Sequence, residues 1–199
     1  MPDGGRVIGG SARGLRLRAP GESTRPLADR VKQSLFGSLA AEGVVGEGTR
    51  FLDLFAGSGA GGIEALSRGA ASAVFVEKDG GACDVIGDNL KACHLSGGTT
   101  VRASALSFLD GGSSRHGAPF DAVLIDPPYA EPLLEPTLVR LADPARGWLA
   151  DGAIVVAKHF WRDAPPTVVG DLVRLRQKRF GETMLTLYRW RDDTAAEAT

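Results

Sequence analysis

The chain predicts an α/β fold: a mainly parallel sheet of seven strands, closed by an antiparallel C-terminal hairpin and preceded by a small hairpin-and-helix extension. Three observations carry this. From residue 50 onward, short apolar runs alternate with stretches of helical periodicity. The segments between those runs are long enough for the right-handed crossovers that parallel neighbours require. The last two runs are joined only by Arg179-Phe180-Gly181-Glu182, a joint of hairpin length.

At the N-terminus, residues 5–8 and 14–18 read as two short strands around Gly9-Gly10-Ser11-Ala12-Arg13. Leu15 and Leu17 alternate with Arg16 and Arg18, the pattern of a half-buried strand with a basic face. Pro26 suits a first helical position, and Val31, Leu35, Phe36 and Leu39 recur at helical spacing, so 26–41 is predicted as an amphipathic helix. Strands are then expected at 50–55, 72–77, 99–103, 121–126 and 152–157, and helices at 59–68, 80–93 and 132–142. The hairpin is expected at 171–178 and 183–190, fed by Leu172, Val173 and Leu175 and by Met184, Leu185, Leu187 and Tyr188. Gly111-Gly112-Ser113-Ser114 reads as a surface loop. This divides the chain into a basic arm (1–42), a main domain (43–192) and a frayed polar tail (193–199).

Composition sets limits. Of 199 residues, 43% are hydrophobic and 24% charged, ordinary for a soluble globular protein, and the net charge is −1. The charge is unevenly placed. Residues 1–32 carry Arg6, Arg13, Arg16, Arg18, Arg25, Arg30 and Lys32 against Asp3, Glu22 and Asp29, a net +4 that reads as a docking surface for a polyanion. The two cysteines, Cys83 and Cys93, fall ten residues apart on one predicted helix. About 15 Å of helix separates them, too far for a disulfide, which suits a reducing cytoplasm. No metal-ligand spacing appears, no apolar run approaches membrane-spanning length, and no h-region follows the N-terminal arginines.

Two motifs carry chemistry. The run Phe51-Leu52-Asp53-Leu54-Phe55 opens into Ala56-Gly57-Ser58-Gly59-Ala60-Gly61-Gly62. Its glycines let the backbone approach a ligand between strand end and helix start, and Glu77, at the next strand end, suits an acceptor for ribose hydroxyls. Asp53, inside the first strand, suits a cationic ammonium better than a pyrophosphate, which favours S-adenosylmethionine over a nicotinamide dinucleotide. The second motif, Asp126-Pro127-Pro128-Tyr129, ends a predicted strand. A planar base amine is a poor nucleophile because its lone pair is delocalised. Hydrogen bonds from its protons to the Asp126 carboxylate and the Pro127 carbonyl would hold the nitrogen toward sp3 geometry. The prolines fix the corner, and Tyr129 offers a ring for the base to stack on. A nucleotide-like cofactor beside an amine-bearing base is the pattern of amino-group methyltransferases.

At these residues the chain resembles the bacterial 16S ribosomal RNA guanine-N2 methyltransferase family, RsmD type. The resemblance spans nearly the whole chain: Arg6-Val7-Ile8-Gly9-Gly10, Arg13-Gly14, Thr24-Arg25-Pro26, Asp29-Arg30-Val31-Lys32, Leu52 to Gly59, Glu64 to Ala70, Phe75-Val76-Glu77 and the Asp126 to Tyr129 corner. Asp-Pro-Pro-Tyr is shared with adenine methyltransferases; the N-terminal signature narrows the family. The resemblance implies a class I methyltransferase fold. It implies that S-adenosylmethionine, with no metal, is held by Asp53, Phe55, Ala56, Gly57, Gly59, Glu77, Lys78, Ser104 and Ala105, with Asp126, Pro127, Pro128 and Tyr129 at the catalytic corner. Arg6, Arg13, Arg16, Arg18, Thr24, Arg25 and Arg30 would grip RNA, with Arg174, Arg176, Lys178 and Arg179 as further phosphate contacts. The implied substrate is one guanine of 16S ribosomal RNA in an assembled or nearly assembled small subunit, and the protein is expected to be a cytoplasmic monomer. Two positions depart from the family. Ser104 stands where an acid is usual near the cofactor's adenine, and Ala157-Lys158-His159 stands where Val-Glu is common; Lys158 receives no role. The alternatives are an amino-methyltransferase of DNA or another RNA, a non-catalytic RNA-binding module on the same fold, and a nicotinamide dehydrogenase.

Overall fold

A computed structural model describes residues 3–21, 27–129 and 131–191; Thr24, Arg25, Pro26 and the tail 193–199 lie outside them. Strands β1 (Asp3–Arg6) and β2 (Arg16–Arg18) pair antiparallel, and helix α1 (Asp29–Ala41) follows. The expected strand 5–8 begins earlier, at Asp3. An added Cβ on Gly4 would lie 2.5 Å from the Arg18 carbonyl oxygen, so a residue without a side chain lets the two backbones meet.

The sheet grows from five parallel strands: β3 (Arg50–Leu54), β4 (Ser72–Glu77), β5 (Gly98–Arg102), β6 (Phe120–Ile125) and β7 (Leu149–Phe160). Between them lie α2 (Ala60–Ser67), α3 (Gly80–Ala92), α4 (Ala105–Asp110) and α5 (Leu134–Leu141). The chain then adds β8 (Val168–Val169), β9 (Leu172–Phe180) and β10 (Thr183–Trp190). The order is β5-β4-β3-β6-β7-β10-β9-β8, so the last long strand inserts between β7 and β9 and runs antiparallel to both. The sheet has eight strands rather than the seven expected; the addition is β8, two residues long and too short to leave an apolar run. β7 outgrows its expected 152–157 because its end pairs with β10, Phe160 opposite Thr183. The six-residue α4 was not expected, since so short a helix shows little periodicity.

Consecutive side chains of a strand face opposite sides, and here both sides are buried. Phe51, Phe75, Leu124 and Val156 join one core with Ile63 of α2 and Ile86 of α3. Leu52, Val74, Val123 and Val155 join the other with Phe108, Leu138 and Trp148. The arm contributes Val7, Leu17, Val31, Leu35 and Phe36 to the first core. Its backbone is tied to the helices: Ile8 N–H donates to Glu64, Ser11 N–H to the Ser67 carbonyl, and Arg18 N–H to Asn89. Lys32 is fully buried, its ammonium donating to the Arg6 carbonyl, and burial pulls its pKa down. Both cysteines are free thiols. No helix among the described residues is long and apolar enough to cross a membrane.

Candidate active site

The C-terminal ends of β3, β4, β6 and β7 share one edge of the sheet, where ligands of open α/β folds bind. At the end of β3 the chain turns sharply. Phe55 takes φ 66°, a left-handed conformation costly for a bulky side chain. Gly57 (φ 54°) and Gly59 (φ 78°) continue the turn, and Gly59 precedes α2. Close packing demands the next two glycines. A Cβ on Gly61 would lie 2.8 Å from Asp53 Oδ2, and one on Gly62 would run into the Phe75 ring. With no side chains there, the start of α2 settles over Asp53, and Gly62 N–H donates to Asp53 Oδ2 at 2.8 Å. Burial raises the Asp53 pKa to about 8; the Gly62 hydrogen bond opposes the rise, and the Asp126 and Glu77 charges add to it.

Glu77 closes the loop from β4. One carboxylate oxygen accepts from Gly57 N–H and the other from Asp79 N–H, both at 2.9 Å. Asp79 in turn caps α3, accepting from Ala82 N–H at 2.8 Å. Ser104 Oγ caps α4 by accepting from Ser107 N–H at 3.2 Å.

At the end of β6 stands the corner. The register pairs Ile125 with Ala157, so the next residues on the two strands, Asp126 and Lys158, meet at the sheet edge. Lys158 Nζ lies 2.6 Å from Asp126 Oδ1 and 4.9 Å from the centre of the Tyr129 ring. Asp126 Oδ2 has no partner among the described residues, yet no buried side-chain oxygen is left unsatisfied there, so it opens to solvent. Burial pushes the Asp126 carboxyl above the usual aspartate value, and Lys158 pulls it back. Burial alone would lower the Lys158 pKa, but the Asp126 carboxylate, with Tyr129, leaves it raised. The Tyr129 hydroxyl meets Thr183 Oγ1 at 3.0 Å, and its ring is 40% exposed.

These groups surround one cavity of about 830 Å3. Asp53, Phe55, Ala56, Gly57, Glu77, Lys78, Ser104 and Ala105 line it together with Asp126, Pro127, Pro128 and Tyr129. Gly59 is not among the lining residues; it faces Ile63 and Ile86 and serves the turn. Leu27, Ala28 and Val31 of the arm add an apolar wall. Among the described residues, no arm arginine lines the cavity: Arg6 pairs with Asp29, Arg16 with Asp3 and Arg18 with Asp88 on the surface, while Arg13 and Arg30 are exposed. Lys158, Glu182 and Thr183 line the cavity without any role expected from the motifs. For Lys158 a signal existed, since a cation ending a buried apolar strand must find a partner at the sheet edge.

Five parallel strands, a glycine loop after the first, acids at the ends of β4 and β6 and an antiparallel strand inserted last define the fold of class I S-adenosylmethionine-dependent methyltransferases. Residues 5–189 match the family described as conserved hypothetical protein 95, and the chain belongs to that family, the RsmD family of methyltransferases. It is 38% identical over 184 residues to ribosomal RNA small subunit methyltransferase D of Escherichia coli (strain K12), covering 92% of this chain and 88% of that protein. It is 32% identical over 186 residues to the protein of the same name from Haemophilus influenzae, covering 92% of each. Among solved structures, yhhF from Escherichia coli superposes with a TM-score of 0.82 at 36% identity, covering 96% of this chain and 99% of that one.

Proposed function

We propose that this protein transfers a methyl group from S-adenosylmethionine to the exocyclic N2 amine of a guanine in small-subunit ribosomal RNA, in the cytoplasm. The observation that carries this reading is the Asp126–Lys158–Tyr129 corner opening into the same cavity as Asp53 and Glu77. The names of the relatives support ribosomal RNA as substrate.

The cavity fits the cofactor by its chemistry. Asp53 would take the ammonium, Glu77 the ribose hydroxyls, and Ser104, Ala105 and Phe55 the adenine side. The glycines bring backbone close, and Asp53 is a buried carboxyl whose raised pKa a bound cation would reverse. The bound cofactor supplies an electrophilic sulfonium methyl. The rest falls to the chain. Asp126 Oδ2 and the Pro127 carbonyl accept from the target amine and hold its lone pair out of conjugation. Lys158 engages Oδ1, which fixes the carboxylate and keeps it anionic. Tyr129 stacks on the base. Asp126, which lines the cavity, would also accept the proton the amine gives up. Orientation and preorganised charge supply most of the rate, without a covalent intermediate.

Guanine offers two adjacent donors, N1–H and N2–H, which a carboxylate accepts and an asparagine amide does not. Asp126→Asn should therefore lose most methylation while cofactor binding survives. The test is tritium transfer to small subunits from a strain lacking this protein, with naked ribosomal RNA and DNA beside them, followed by primer-extension mapping. Near-normal transfer by Asp126→Asn would remove the carboxylate from the mechanism. Preferred transfer to DNA would replace the RNA reading with a DNA amino-methyltransferase.

A further inference from the structure

Beyond the corner, the end of β7 carries aromatic and cationic side chains that neither the cofactor site nor the target base uses. Phe160 lies 6.4 Å from Tyr129, ring centre to ring centre, and Trp161 lies 6.2 Å from Phe160. The three rings step outward from the catalytic corner. They are tilted from one another by 50° and 51°. Trp161 is half-buried, unlike Trp148, which sits in the core. The Arg179 guanidinium carbon lies 3.8 Å from the centre of the Trp161 ring, and that of Arg162 lies 4.9 Å from it. Both arginines are exposed. The backbone N–H of Trp161 donates to the Glu182 carbonyl at 2.9 Å, which ties this rim to the β9–β10 turn. Pro127, Pro128 and Tyr129 form a wall shared by the cofactor cavity and a second cavity of about 850 Å3, and Phe160 and Arg162 line the second.

We propose that this rim, Phe160, Trp161, Arg162 and Arg179, binds the unstacked nucleotide adjacent to the target base. The inference rests on the RNA-methylation reading and adds where the strand runs once the base has left its stack. The rings pack on one another at 6.4 and 6.2 Å, and their tilts turn their free faces in different directions; bases of a helix lie parallel, so such faces suit splayed nucleotides. An unstacked base has two bare faces, and aromatic rings and guanidinium planes are the surfaces that cover them. Arg179 is already laid flat against Trp161, so little further ordering is needed to present a planar cation to a base or N–H groups to a phosphate. Asp163 and Glu182 stand nearby and reduce the local positive charge; stacking, more than bulk electrostatics, therefore does the recognition.

The experiment uses the full chain saturated with S-adenosylhomocysteine. Tryptophan fluorescence is followed while a single-stranded oligoribonucleotide of about six nucleotides, or the same sequence as a duplex, is added. The single strand should quench, the duplex should not, and Trp161→Leu should abolish the quench while Trp161→Phe retains binding in a competition assay. In single-turnover methylation of small subunits, Trp161→Leu or Arg179→Gln should raise the half-saturating concentration about tenfold and leave the plateau rate within about twofold. Equal binding by Trp161→Leu, equal binding of the duplex, or a lowered plateau with unchanged half-saturation would each overturn the proposal. Wild-type protein that quenches with the single strand but methylates no RNA would overturn the functional reading and leave this surface standing.

Discussion

Asp53 is the residue on which stability and function pull apart. Its pKa of about 8 in the folded chain stands well above the ordinary value of 3.8, so the folded state binds its proton more tightly than the unfolded chain. The stabilisation is complete below the unfolded value and is lost as pH rises through about 8. Asp53→Asn keeps an acceptor for Gly62 N–H and removes the titrating charge. Thermal melts should show the variant gaining on the wild type from acid to mildly alkaline pH. Calorimetric titration should show it losing about 1.5–3 kcal/mol of S-adenosylmethionine affinity, the worth of hydrogen bonds to a charged group. For the wild type, binding a cation beside Asp53 should release a proton, which titrations in buffers of different ionisation enthalpy detect. Lys158 sets the opposite kind of dependence. Without its ammonium, the lowering influence on the Asp126 carboxyl is lost and burial pushes it further up. In Lys158→Met the acid limb of the single-turnover rate should therefore move to higher pH, and Lys158→Arg should move it back. An unshifted limb would mean that Lys158 only fills space.

The elements differ in how plainly they show in the sequence. Parallel strands buried on both faces are continuous apolar runs, and β4, Ser72–Glu77, coincides with its expected span. Helix α4 has only six residues, and the sign of it is its cap, Ser104, ahead of Ala105, Phe108 and Leu109. Ser104 is thus shared between holding a helix and facing the cofactor cavity. Ser104→Ala should destabilise the fold by about 1 kcal/mol in urea melts through the lost cap. Ser104→Asp should keep the cap, since aspartate caps as well as serine, and should tighten cofactor binding by offering the adenine amine a charged acceptor. Weaker binding by Ser104→Asp would show that the capping oxygen is not available to the ligand. β8 was invisible for a related reason: two residues at a sheet edge carry no pattern.

Across the whole molecule, a chain of net charge −1 concentrates a net +4 in its first 32 residues, whose backbone is hydrogen-bonded to α2 and α3 at Ile8 and Arg18. Arg16 and Arg18 sit in exposed ion pairs with Asp3 and Asp88, at side-chain exposures of 81% and 55%. Such pairs contribute little to stability and yield readily to phosphates. Changing Arg13, Arg16 and Arg18 together to glutamine should weaken binding to small subunits and flatten its dependence on salt, because fewer counterions are released. Cofactor affinity should stay the same, since none of the three lines the cavity. Filter binding across a salt series reads both quantities, and an unchanged slope would make the arm a solvated surface only.

By itself the sequence determined what local pattern encodes: the alternation of strand and helix, the glycine loop after β3, the Asp126 to Tyr129 corner, the basic arm and the C-terminal hairpin. Each is a property of residues close together in the chain, where side-chain period, turn chemistry and charge are read directly. Tertiary structure decided the rest. Lys158 reaches Asp126 across 32 positions because β7 lies beside β6 in a register that pairs Ala157 with Ile125. Gly57 hangs from Glu77 because β4 flanks β3. The arm shares a core with the sheet because its Gly10 passes against the Ser67 backbone, where any side chain would collide. Register and close approach depend on which surfaces meet, and no stretch of neighbouring residues specifies that alone.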